Sequence, residues 1–398
     1  MFVEFHILQS FPPSNLNRDD TNNPKEALFG GVRRARISSQ SFKRAIRKAG
    51  VFKDTVRVPL AHRTRYIKRL LLPKLEALGK SGEDAHIVLG FVIPLLFSDL
   101  DSEHPERTKV LIYISEPELD AVAQGIVEQW ETLLPGAKEQ AKHAGKKGKK
   151  EQDESPEVKQ AKEAVRKKIA KAIEKYRSVT PAPDIALFGR MLAESPEQNL
   201  DAASQVAHAL STHRVTMETD FYTAVDDITQ NDEPGAGMMG YIPYDSATFY
   251  RYLRVDWKQL VENLGDDKEL ARRTVEGFIR AMVEAVPSGK QNAFAAYTPP
   301  SLLFGVVREG GFAWSLVNAF ERPVQPDRME GGYMRPSIEA LDRYWGRLAG
   351  VYGEKSVKAR AVLPLEADAP LEALKDAVVD NMESFIETIM GALPGEEA

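Results

Sequence analysis

Eight cations (Arg33, Arg34, Arg36, Lys43, Arg44, Arg47, Lys48 and Lys53) fall between Ala27 and Lys53, a stretch without a single Asp or Glu. Guanidinium and ammonium groups gathered without acids do one kind of chemistry well: they neutralise phosphates. The whole chain has a formal net charge of −5, so this local excess runs against the bulk composition. A solvated charged face is the plain alternative. Such faces mix signs, however, because interspersed acids form i,i+4 pairs and relieve self-repulsion. The missing acids favour a polyanion, and nucleic acid is the natural one. Gly30 and Gly31 would let backbone approach a partner closely. Ser38 or Ser39 can cap a helix whose first N–H groups suit a phosphate. Phe42, Ala45, Ile46 and Ala49 then recur at helical spacing, which puts Gln40, Lys43, Arg44, Arg47 and Lys48 on the opposite face.

The competing chemistry is metal-dependent catalysis. The seven histidines are scattered, and His208 and His213 are five apart, the wrong spacing for one helical face. Phosphate-loop, dinucleotide and nucleophile-elbow motifs are absent from the sequence. Asp19–Asp20 and Asp226–Asp227 are carboxylate pairs that could hold Mg²⁺ for phosphodiester cleavage. Adjacent acids in Asn- and Pro-rich segments are more often turn formers. Lys290, in PSGKQ after an amphipathic segment, reads equally as a phosphate contact or as a charge balancing a helix dipole.

These groups need elements to hold them. At 398 residues, with 43% hydrophobic and 28% charged content, the chain can bury a substantial core. It has no cysteine, which excludes disulfides and thiolate metal sites and is compatible with a reducing cytoplasm. MFVEFHILQSF carries an acid and no basic leader, and the longest apolar run, Val88–Phe97, is too short for a bilayer. We therefore expect a cytoplasmic protein with no membrane partner and no cofactor. Phe2–Leu8 alternates as a strand, and a polar loop from Pro12 to Pro24 leads into the basic loop and helix. Residues 57–180 read as a run of helices, with a charged low-complexity stretch at His143–Glu154. Ile185–Met191, Ala207–Val215, Thr248–Asp256, Ser301–Val307 and Phe312–Phe320 read as strands. Lys268–Val286, Ile338–Gly350 and Leu371–Leu393 read as helices. Between two of the strands, Asp226–Asp245 is pliant at Gly235, Gly237 and Gly240 and fits a projecting hairpin or loop. The expected class is α+β, a sheet domain interrupted by a helical one.

The sequence also resembles a known family. NLNRDD at 15–20, PKEALFGG at 24–31 and RRARISSQSFKRAIRK at 33–48 are similar to the N-terminal signature of the CasC (Cse-type) backbone subunit of type I-E CRISPR Cascade. DIALFGRM, AHALSTHRV, FYTAVDD, FYRY, VPSGKQNAFAAY and VNAFE follow in order and extend the likeness over most of the chain outside the helical middle. The resemblance implies an RRM-like (ferredoxin-like) palm at 1–56 and 181–398, an inserted helical fingers domain at 57–180 and a hairpin-like thumb at 216–246. It implies that Arg18, Lys25, Ser38, Gln40, Lys43, Arg44 and Arg47 contact guide RNA. It puts Met191 beside a kinked nucleotide, where an unbranched side chain can pack on any base. Met238 and Met239, between glycines in the projecting segment, are matched less closely to a base gap.

The resulting expectation is a non-catalytic scaffold. Copies would polymerise head to tail along a crRNA and present it for pairing with target DNA, in company with the other Cascade subunits. Arg33, Arg34, Arg36, Ser39 and Lys290 join the expected RNA contacts. Two other classes compete: a metal-dependent ribonuclease acting on guide or structured RNA, and a protein-interaction scaffold that touches no nucleic acid.

Overall fold

The computed structural model describes residues 1–143, 155–176, 179–191, 199–224 and 238–395. Asp226, Asp227, Gly235, Gly237 and the charged run after His143 lie outside the described residues. The chain divides into two compact units. One comprises Met1–Val56, Ser204–Lys258 and Arg272–Ala398, and the other Arg57–Ala203 and Gln259–Ala271.

In the first unit β1 runs from Phe2 to Ser14, longer than its alternation implied because Pro12 and Pro13 remain extended. β2 (Glu26–Phe29) and β3 (Val32–Ile37) form a hairpin where a basic loop was expected. The turn is Gly30 and Gly31, both at positive φ, the geometry of a tight two-residue hairpin. α1 (Ser39–Lys48) and α2 (Gly50–Val56) follow.

The second unit begins with β4 (His62–Thr64), α3 (Ile67–Ala77), α4 (Gly82–Leu96) and β5 (Ile112–Ile114). α5 (Glu116–Glu128) starts at a capping box in which Ser115 and Glu118 satisfy each other's backbone N–H. α6 (Trp130–His143), α7 (Pro156–Ala164), a π-helical turn and α8 (Ala170–Glu174) complete a bundle. Its core includes Leu71, Leu89, Val122, Ile126 and Ile169. Ile185–Met191 was expected as a strand, but Pro183–Phe188 is a short helix, α9. Pro183 starts it, and Asp184 is buried, accepting from the Ala61 N–H and the Tyr113 hydroxyl. Residues 181–203 thus belong to this unit.

The first unit resumes with β6 (Ser204–Val206), β7 (Ala209–Ser211), β8 (Glu218–Ala224) and β9 (Met238–Asp256). α10 (Trp257–Asn263) and α11 (Lys268–Glu284) carry the chain through the second unit and back. α12 (Gln291–Phe294), β10 (Leu302–Arg308), α13 (Met334–Tyr352), β11 (Val357–Pro364) and α14 (Met382–Gly391) close the fold. Phe312–Phe320, expected as a strand, is a loop followed by a 3₁₀ turn at Leu316–Phe320. Helix in the last segment is confined to α14 and a short 3₁₀ turn at Lys375–Ala377.

Among the described residues nine strands make an antiparallel sheet of order β11-β10-β1-β9-β7-β3-β2, with β6 and β8 also paired to β9, while β4 and β5 pair with each other in the second unit. β1 is central, between β9 and β10, and is buried on both faces. Phe5 packs against Phe278 of α11 on one side. On the other, His6 stacks on Phe304, which meets Trp345 of α13 edge-on. Both faces of the sheet are therefore helix-covered, and β8 with the first half of β9 extends beyond that cover as an exposed ribbon.

Candidate nucleic-acid interface

The basic segment is held in place at three points. Gly30, at φ +60°, has no room for a side chain, because a Cβ there would lie 1.7 Å from the Glu321 carbonyl oxygen. The Arg34 guanidinium is fully buried and donates to the carbonyls of Phe29, Ser211, Phe320 and Glu321. Ser38 caps α1: its Oγ accepts from the Ser41 N–H while its own N–H donates to Asn17 Oδ1. The polar loop is pinned in turn, since Asn15 Nδ2 donates to the carbonyls of Asn22 and Pro243.

Two expected contacts change role. Arg34 cannot reach a phosphate; alternation along β3 turns it inward while Arg33 stays exposed. The Ser38 hydroxyl is occupied as a cap, and the Ser39 N–H already donates to His208 Nδ1, so the start of α1 is not an open anion cradle. His208 is held below its ordinary pKa by burial and then by Arg36 and Lys25. It stays neutral and acts as an acceptor.

What remains exposed lines two clefts in the first unit. One, of about 630 Å³, lies between the loop at Leu16–Asn22, the outer face of α1 and the segment from Glu284 to Gly289, with Tyr297 at its edge. Arg18, Arg44 and Lys48 supply its positive charge, against Asp19 and Glu284. The other, of about 700 Å³, holds Lys25, Arg33, Arg36 and Arg214 against Asp19 and Glu26. Arg33 pairs with Glu26, and Arg36 Nε donates to the Glu26 carbonyl. Asp19 is a turn former: Oδ1 accepts from the N–H of Thr21 and Asn23 and from the Thr21 hydroxyl. Hydrogen bonds from Thr21 and Asn23 keep its carboxyl below the usual range. Among the described residues no group of three or more acids or histidines could hold a metal.

The other expected residues scatter. Gln40 is exposed, whereas Lys43 and Arg47 are half-buried, and burial lowers the Lys43 pKa. Lys290 sits in the left-handed region at φ 51°, beyond the end of α11, and lines neither cleft. Met191 is 83% exposed, in the second unit. Met238 and Met239 lie in the ribbon at 59% and 65% exposure, beside exposed Phe221, Tyr222 and Tyr241. Sequence reasoning did not single out Arg214, Tyr297 or the ribbon aromatics. No periodicity marked them: Glu218–Ala224 shows no alternation of apolar and polar residues, and every residue of β8 is exposed.

Two cation-lined clefts and an exposed, aromatic-rich ribbon suit a nucleic-acid-binding class of protein, and comparison with known proteins narrows it. Residues 3–391 match the family described as CT1975-like protein, and the chain belongs to that family. A chain from a solved "CRISPR RNA-guided surveillance complex, pre-nicking" is 34% identical, with 98% of this chain and 100% of that one covered and a TM-score of 0.79. Another, from a "CRISPR RNA-guided surveillance complex", is 27% identical over 99% and 100%, with a TM-score of 0.70. A search of curated proteins finds no match.

Proposed function

We propose that this protein is a guide-RNA-binding backbone subunit of a CRISPR surveillance complex (Cascade), loaded in several copies head to tail along the crRNA. The observation that carries this is end-to-end likeness, 34% identity over 98% of the chain, to a chain of an RNA-guided surveillance complex. The two clefts supply the chemistry. Arg18, Arg44 and Lys48 in one, and Lys25, Arg33, Arg36 and Arg214 in the other, are fork and point donors for phosphate and sugar, which position RNA without reading its bases. Gln40, Ser39, Lys43 and Arg47 flank them on α1. Met191 and Met239 are the soft contacts for unstacked bases.

The strand order β10-β1-β9-β7, with α1 after β1 and α11 after β9, supports an RRM-like palm. The second unit corresponds to fingers and the ribbon to the thumb. Successive copies would make heterologous contacts, which generate open helical arrays, and target DNA would be engaged through the guide. Cleavage would fall to a separate nuclease. Among the described residues a ribonuclease role gains no support from the carboxylates, since Asp19 is committed to a turn, while Asp226 and Asp227 lie outside them. Co-expression with a guide-encoding array and purification of the chain tests the reading. RNA of defined length should co-purify intact. Absence of RNA, or its cleavage by the purified protein with Mg²⁺, would overturn it.

A further inference from the structure

Four arginines are buried among the described residues: Arg34, Arg190, Arg251 and Arg308. Arg190 meets Glu118 and Arg308 meets Glu4, each at 2.6 Å. Arg34 donates only to carbonyls, and burial lowers its pKa while the nearby Glu321 charge works against that shift. Arg251 differs from all three. It is 2% exposed, and its guanidinium donates to Gln9 Oε1 at 2.6 Å and to the Met282 carbonyl at 2.8 Å, with its carbon 4.0 Å from the Phe42 ring centre. Each of these partners is neutral. The Met282 carbonyl belongs to the last turn of α11, whose dipole offsets only part of a charge. Burial accordingly lowers the Arg251 pKa to about 9, and no acid raises it.

Burying a cation without a carboxylate is costly, and a fold that pairs Arg308 with Glu4 had a cheaper solution available. Location explains the difference. Phe42 is the buried ring of α1, and the far side of that helix, with Arg44 and Lys48, lines the first cleft. A helix is roughly 10 Å across, so Arg251 stands about one helix width behind the cleft.

We propose that Arg251 is a buried electrostatic partner for the guide's phosphates, acting across α1 through the protein interior and never by contact. This deepens the RNA-binding reading above and rests on it. Exposed cations gain affinity by releasing counterions, so their contribution fades as salt rises. A charge acting through low-dielectric protein is screened far less. At about 10 Å and an effective dielectric constant of about 20, one unit charge changes phosphate affinity by roughly tenfold.

Gln9→Glu tests this without disturbing α1, because it gives Arg251 the carboxylate that Arg308 already has. The variant should weaken guide-RNA binding by roughly tenfold, by a similar factor at about 50 and about 200 mM salt, while the slope of log affinity against log salt stays the same. Its thermal midpoint should not fall. Gln9 Nε2 also donates to the Thr298 carbonyl, and that bond disappears in the variant, so Arg251→Lys and Arg251→Met form a second pair. Arg251→Lys should bind within about twofold of wild type and Arg251→Met roughly tenfold more weakly, again at constant slope. Wild-type affinity in Gln9→Glu or in Arg251→Met would overturn the proposal. So would a slope smaller by about 0.7 for each phosphate no longer neutralised, which would mean that the surface cations on α1 had moved. A wild-type chain that binds no guide RNA at any salt would sink the function reading itself.

Discussion

The hairpin-to-helix segment at Glu26–Lys48 and the ribbon of β8 and early β9 both present side chains to a partner, by opposite means. The first is charged and anchored, with Gly30 against a backbone carbonyl, Arg34 in four carbonyl bonds and Ser38 tied to Asn17. The second is aromatic-rich, exposed along all of β8 and held chiefly by pairing to β9, with one bond from Asn15 to the Pro243 carbonyl at its base. An anchored cationic surface holds a polyanion in register and weakens with salt. An exposed aromatic-rich ribbon gains little from ions and works as a wedge or a reach to a neighbour. The pair implies that loading on a guide has a salt-sensitive and a salt-insensitive part, borne by different residues.

The anchoring itself offers the largest effect. Gly30→Ala places a methyl group on the Glu321 carbonyl at positive φ and should lower stability by about 2 kcal/mol or more, read by denaturant unfolding. Arg34→Met should cost about 3 kcal/mol, because it strands buried carbonyls. If both variants keep wild-type stability, the hairpin is no more anchored than the ribbon and the contrast fails.

Next in size is the charged surface. Arg44→Ala with Lys48→Ala should reduce the salt slope of RNA binding by roughly 0.7 for each phosphate no longer neutralised and leave folding intact. An unchanged slope would remove the first cleft from the interface.

Asp245 joins the two regions. It pairs with Ser14 where β1 changes register, and it lines a small cavity with Lys25 and Arg36. Burial, and then Glu26, raise its pKa to about 7. A carboxyl raised in the folded state favours folding fully below its unfolded value near 3.8, and that contribution is lost as pH rises through about 7. Asp245→Asn should therefore raise the thermal midpoint at pH ~8 and change it little at pH ~4. Equal shifts at both would mean that the ribbon's base is not proton-linked.

The ribbon should give the smallest effect on stability and a selective one on assembly. Phe221→Ser with Tyr241→Ser touches exposed rings 5.3 Å apart and should shift stability by no more than about 0.5 kcal/mol. Binding of a very short RNA and its salt slope should persist, while cooperative loading on a long guide should fall. Retained cooperativity would reduce the ribbon to an ordinary surface strand.

Several features were legible from residue order alone. The acid-free span, the α1 face built on Phe42 and Ile46, the Ser38 cap and the turn role of Asp19 follow from local rules of charge, periodicity and side-chain-to-backbone bonding. Such rules operate within a few residues and need no knowledge of what lies across the sheet. Long-range packing decided the rest. Arg33 and Arg34 are neighbours of one type, yet one is solvated and the other closes a network with carbonyls 177 and 286 positions away. Arg251 and Arg308 look equally basic in the sequence, and only the strands beside them make Arg308 a neutralised pair and Arg251 a bare cation behind α1. A side chain's charge is set by its chemistry, but whether that charge meets water, an acid or an incoming phosphate is set by which distant segments the fold brings against it.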